Sequence, residues 1–193
     1  LFPYTTLFRS EDRVITISRA RFTVEYPASF MLVASMNPCP CGYFNHPERE
    51  CVCAPGKVQL YLNRISGPLL DRIDIHIEVV PVPFSDLSSQ QQAEKSEHIR
   101  ERVVKAREVQ SRRFANEEII HNNAQMGSKL IRKFCNIDPA GQSLLKNAME
   151  KLDLSARAYD RILKVARTIA DLEQSPGIQP AHLAEAINYR SLD

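Results

Sequence analysis

The sequence predicts half of an α/β domain followed by an all-α bundle. Three observations predict it. Two short β-rich runs flank a basic link between residues 14 and 26; a continuous apolar run of strand length follows at 30–36 and another strand at 73–80; and beyond residue 96 apolar residues recur at helical spacing.

The elements follow in order. Residues 14–18 (VITIS) and 22–26 (FTVEY) are rich in β-branched and aromatic residues, which predicts a β-hairpin closed by Pro27. Phe30 to Met36 (FMLVASM) reads as a buried strand of a parallel sheet, ending at Asn37-Pro38, where chemistry in such sheets is commonly placed. A cysteine-rich loop spans Pro38 to Pro55, a helix Lys57 to Asn63, and Leu69-Leu70-Asp71-Arg72 leads into a second strand, Ile73 to Val80, which Pro81 and Pro83 end. Ser85 to Lys95 is polar, rich in Ser and Gln, and reads as a linker.

Everything after it is helical. Ile99, Val103 and Ala106 mark one apolar stripe; Leu130, Ile131 and Phe134 a second; Leu144, Leu145, Ala148, Met149 and Leu152 a third; Ile162, Val165, Ala166, Ile169 and Leu172 a fourth. Asp138 before Pro139, Ser155 before the long periodic run, and Pro180 are start signals. The helix from Ile99 to Phe114 carries six arginines and lysines with Glu97, Glu101 and Glu108 interleaved, the pattern of a salt-bridged solvent face.

Composition limits the function classes. A net charge of +2 over 193 residues does not by itself indicate a nucleic-acid partner. No apolar run reaches the length of a membrane span and no signal peptide is visible, so the expectation is a cytoplasmic protein without a membrane partner. Four of the five cysteines fall in one loop, as Cys39-Pro40-Cys41 and Cys51-Val52-Cys53. A chain of this length without a secretory address is not a disulfide miniprotein, which leaves a metal site or free thiols. Four thiolates can close a tetrahedral zinc shell, with His46 as a substitute ligand. Cys135, on an apolar stripe, reads as core. The first ten residues, LFPYTTLFRS, can be read from codons resembling a common short-read sequencing adapter. Residues 1–10 are therefore expected to be an artefact of construction, with natural sequence from about Glu11.

MLVASMNPCPCGYF, LNRISGPLLDRIDIHIEV, LSARAYDRILKVARTIADLE and HLAEAINYRSLD together resemble, in order, successive blocks of the magnesium-chelatase-like AAA+ ATPases of the ComM/YifB family. The resemblance implies a C-terminal fragment: residues 11–84 as the C-terminal part of the AAA+ core (hairpin plus parallel-sheet strands), 85–95 as linker, and 96–193 as the helical lid bundle. It implies a hexameric ATP-dependent motor using Mg²⁺, of DNA branch-migration or helicase type and associated with natural transformation. It also implies roles. Asn37 resembles sensor 1, Arg157 sensor 2, and Arg72 an arginine finger acting on ATP held by the neighbouring subunit. Arg19 and Arg21, on the hairpin link, resemble a basic pore-lining tip that binds DNA. Each has a plainer alternative: an Asn-Pro turn, a solvated surface arginine, an arginine paired locally with Asp71 or Asp74, and a solvated basic turn. Arg161, Lys164 and Arg167 read as solvated.

A motor of this kind needs a glycine-rich loop ending in Lys-Ser/Thr and an acidic pair for magnesium and water. This chain carries neither, Gly56-Lys57-Val58 being a chance likeness, so alone it is expected not to hydrolyse ATP. Two other functions fit the same residues: the ATPase subunit of a metal chelatase, and a zinc-stabilised interaction module without catalysis.

Overall fold

The computed structural model describes residues 13–19, 22–82 and 94–190. Leu1–Ser10, Arg21 and most of the expected linker lie outside the described residues. The chain divides into two compact units, residues 1–72 and 73–193.

In the first unit, β1 (Val14–Arg19) and β2 (Phe22–Pro27) pair antiparallel, with Val14 opposite Pro27 and Arg19 opposite Phe22. The alternation of β-branched and aromatic residues produces the expected ladder, and Ser18 and Thr23 join across it through their hydroxyls at 2.7 Å. The parallel strand expected at Phe30–Met36 does not form. Those residues are irregular and exposed, Met31 at 86%. Apolar content predicts burial, but a strand also needs a neighbour to take its N–H and C=O groups, and β1 and β2 form the only sheet among the described residues. Helix α1 (Lys57–Leu62) stands where expected, and the four-residue α2 (Gly67–Leu70) follows with Pro68 in its first turn.

The second unit opens on another departure. Ile73–Val80 is not a strand either: the segment is irregular and largely exposed, Val79 at 87%, for the same lack of a pairing edge. Among the described residues five helices follow: α3 (Ser96–Arg113), α4 (Ser128–Phe134), α5 (Pro139–Lys151), α6 (Ala156–Leu172) and α7 (Pro180–Asn188), with a 3-10 turn at Asn123–Gln125 before α4. The capping signals act as read. Asp138 accepts the Gly141 N–H at 2.7 Å and Ser155 that of Ala158 at 3.3 Å. Gln179 caps α7 together with His182, whose Nδ1 accepts the Gln179 N–H at 2.9 Å.

Helix α6 is the centre of the bundle. Its Ile162, Leu163, Ala166 and Ile169 pack with Leu145 of α5, Leu183 and Ile187 of α7, and Leu130 and Ile131 of α4. Each such leucine or isoleucine contributes about 1.5–3 kcal/mol on burial. Helices α5 and α7 approach closely at Gly141, where an added Cβ would stand 2.7 Å from Leu183 Cδ1. The stripe read on α3 is buried only at Ala106; Ile99 and Val103 remain exposed. Cys135 joins the core, and burial pushes its thiol up to about 11, an inert state.

Candidate metal centre and nucleotide-site residues

The two C-x-C pairs come together in the first unit. Cys39 Sγ lies 3.3 Å from Cys41 Sγ and 3.8 Å from Cys51 Sγ, Cys41 Sγ lies 3.5 Å from Cys51 Sγ, and all four sulfurs, Cys53 included, fall within 4.8 Å of one another. None forms a disulfide. Cys39 is buried and the other three are half-buried. The loop is built for this grouping. Gly42 adopts φ 85°, a left-handed turn natural to glycine, and donates its N–H to the Cys39 carbonyl at 3.0 Å, which folds the chain back directly after the first pair. Gly56, at φ 77°, makes a similar reversal after the second pair and starts α1.

The sulfurs share their protons unevenly. The Tyr43 backbone N–H at its sulfur draws Cys41 down to about 6, against burial. Cys51 is pushed up to about 12: the Cys53 N–H lowers it, but burial and the sulfur contacts from Cys41 and Cys39 prevail. Four crowded thiols of this kind are what a divalent cation converts into four thiolates, since metal binding releases the protons that compete for the site. His46 does not join them. Its Nδ1 accepts the N–H groups of Glu48 and Arg49 at 3.1 Å each, making it a turn-stabilising residue rather than a substitute ligand.

The residues expected to address nucleotide are distributed over both units. Asn37 is exposed, two residues before Cys39. Arg72 follows α2, half-buried, and its Nη1 donates to the Pro68 carbonyl at 2.5 Å. Arg157 stands exposed in the first turn of α6, behind the Ser155 cap. Arg19 ends β1 opposite Phe22.

The other cations of α6 are engaged, which corrects their reading as solvated. Arg161 pairs with Asp74, and Lys164 donates to the Ala124 carbonyl at 3.2 Å. Arg167 is buried and donates to Asp171 Oδ1 at 3.1 Å and to the Ser175 carbonyl at 2.7 Å. Arg157 has no hydrogen bond or ion pair among the described residues.

Sequence reasoning missed the polar network around Asp171. This fully buried carboxylate accepts Arg113 through both oxygens at 2.5 and 2.6 Å, Asn123 Nδ2 at 2.8 Å, and Arg167. Arg113 belongs by spacing to the solvent-facing charges of α3, but it turns inward. The exposed part of that helix does carry an ion pair, Arg102 with Glu94 at 3.1 Å.

Comparison with known proteins gives the family. The model of "Magnesium chelatase, subunit ChlI C-terminal" matches residues 93–190, and that of "Magnesium chelatase, subunit ChlI" matches residues 8–87. The chain belongs to the magnesium chelatase family. It is 43% identical over 183 residues to the competence protein ComM of Haemophilus influenzae and 42% identical over 185 residues to the uncharacterised protein YifB of Escherichia coli. An uncharacterised protein of Mycobacterium tuberculosis is 34% identical over 182 residues. These alignments cover 93–95% of the chain and 35% of each relative, so the chain spans about a third of the length of the family members it matches. No helix among the described residues is long and apolar enough to cross a membrane.

Proposed function

We propose that this chain supplies the sensors, arginine finger and lid of an ATP-driven AAA+ motor that works on DNA as a hexameric ring, of the helicase or branch-migration type. Arg157 carries the reading. Among four cations on α6 it alone lacks a partner among the described residues, and it projects from the first turn of the bundle's central helix. A permanently charged planar donor left open in this way suits a phosphate. Asn37 and Arg72 complete the set, and ATP with Mg²⁺ is the corresponding cofactor. Magnesium and the bulk of the phosphate contacts fall to residues outside this chain, because its sequence has no phosphate-binding loop. The exposed apolar run at 30–36 and the β-branched segment at 73–80 support the reading, as strand sequences suited to a larger sheet.

DNA contact is assigned to Arg19 and Arg21. Replacing both by Ala in the full-length protein is expected to weaken DNA binding and flatten its salt dependence by about 0.9 in logarithmic slope for each phosphate that the hairpin no longer neutralises. An unchanged slope would remove the hairpin from the DNA path. The family description favours one other substrate, a chelatase partner. Measuring ATPase stimulation by branched DNA beside stimulation by chelatase subunits separates the two.

The four cysteines are assigned a structural zinc. Anaerobically purified chain is expected to contain one zinc per molecule, and the double variant Cys41→Ser, Cys51→Ser none, by elemental analysis. Metal-free parental protein with four titratable thiols in that loop would refute the assignment.

A further inference from the structure

We infer that Cys41 and Cys51 are a reversible oxidative modification site: a hydroperoxide joins them in a disulfide, the metal held by the four cysteines is lost, and ATP turnover falls. The inference rests on the zinc assignment and on the role proposed above for Asn37, and adds a regulation of the cysteine centre by oxidants.

Sulfur spacing sets what the centre can hold and what it can become. Four thiolates bound to one ion at about 2.3 Å stand about 3.8 Å apart, the edge of a regular tetrahedron. The separations of 3.3, 3.5 and 3.8 Å lie close to that edge. The same closeness leaves the sulfurs a short movement from the roughly 2.05 Å of a disulfide. Access and chain geometry select the pair. Cys39 is fully buried, whereas Cys41 and Cys51 are half-buried and their sulfurs lie 3.5 Å apart. Cys39 and Cys41 are nearer still, but a bond between them would close a small ring around Pro40, whose φ is fixed.

The chemistry with hydrogen peroxide has two steps. One of the two thiolates attacks a peroxide oxygen, the O–O bond breaks and hydroxide leaves, which produces a sulfenic acid. The other thiolate attacks that sulfur, expels a second hydroxide and forms the S–S bond. The two sulfurs give up two electrons together, and the peroxide is reduced, with two protons from solvent, to two waters. Cys39 and Cys53 remain as thiolates, too few to close a tetrahedral shell. A dithiol reverses the change by exchange and returns both thiolates.

From residue 38 to Gly56 the chain has turns and bends but neither helix nor strand. Its path therefore depends on local turns and on what joins the two cysteine pairs. Asn37 lies two residues before Cys39, so loss of the fourfold anchor releases it from the place that turnover requires.

The test uses zinc-loaded full-length protein treated with hydrogen peroxide. Released zinc is followed with a chromogenic chelator, cysteine pairing by peptide mass spectrometry and turnover by steady-state ATPase rates. One zinc is expected to leave for each Cys41–Cys51 disulfide formed, with turnover falling at least about fivefold, the lower end of typical coupling between sites. Dithiothreitol with added zinc is expected to restore both, and peroxide is expected to cause no further fall in the double variant Cys41→Ser, Cys51→Ser. Zinc retained under peroxide, a disulfide joining other cysteines, or zinc lost at parental turnover would each overturn the switch. Protein without zinc before treatment refutes the zinc assignment, and the switch with it. Asn37→Ala runs alongside: parental turnover there defeats the role of Asn37, whereas loss there beside a peroxide-insensitive parent defeats the switch alone.

Discussion

Arg72→Ala in the full-length protein is expected to bind ATP as the parent does and to hydrolyse it about 10³-fold more slowly or worse. Phosphoryl transfer develops charge on the γ-phosphate oxygens, and an arginine supplied across a subunit interface stabilises that charge only in the transition state, so its loss falls on kcat. Of the two aspartates that flank Arg72, Asp74 pairs with Arg161. The Pro68 carbonyl that receives Arg72 Nη1 belongs to α2, immediately before it, and so holds the guanidinium through a short piece of chain. Arg72→Lys is expected to recover little, because a point charge does not reproduce the planar paired donors. Steady-state ATPase rates and direct nucleotide-binding measurements check both statements.

Asp171→Ala is expected to have the largest effect on stability, lowering that of the helical unit by about 3–5 kcal/mol. The carboxylate is completely buried and satisfies Arg113, Asn123 and Arg167 together. Its removal takes the acceptor away from two guanidinium groups and an amide in a site that water reaches poorly. Chemical denaturation of the chain followed by far-ultraviolet circular dichroism checks this. The exposed pair Lys146–Glu150, at 3.9 Å, is the contrasting control, and Glu150→Ala is expected to shift the midpoint barely at all.

How far the sequence spoke depends on whether a feature is local. The hairpin was legible because its two runs pair with each other, and the helix starts at Asp138, Ser155 and Pro180 because caps act within one turn. The strands read at 30–36 and 73–80 were not, since apolar content says that a segment should be covered and not that a pairing edge is present. The C-x-C spacing announced the cysteine centre, but its closing depends on the chain between the pairs, which turns back at Gly42. Asp171 and Arg167, four residues apart on a helix, have the appearance of a surface ion pair. Their burial follows from Arg113, 58 residues before Asp171, which no local pattern connects to them. The lack of a partner for Arg157 among the described residues became visible only against its bonded neighbours on α6.

Finger and nucleotide site are here assigned to different subunits of one motor. The most direct measurement is the ATPase rate of full-length Arg72→Ala mixed with a full-length variant defective in its phosphate-binding loop, each nearly inactive alone. Mixing is expected to restore turnover, because some interfaces in a mixed ring join a sound finger to a sound nucleotide site. Mixtures that exchange subunits and yet stay as inactive as the separate variants would contradict it.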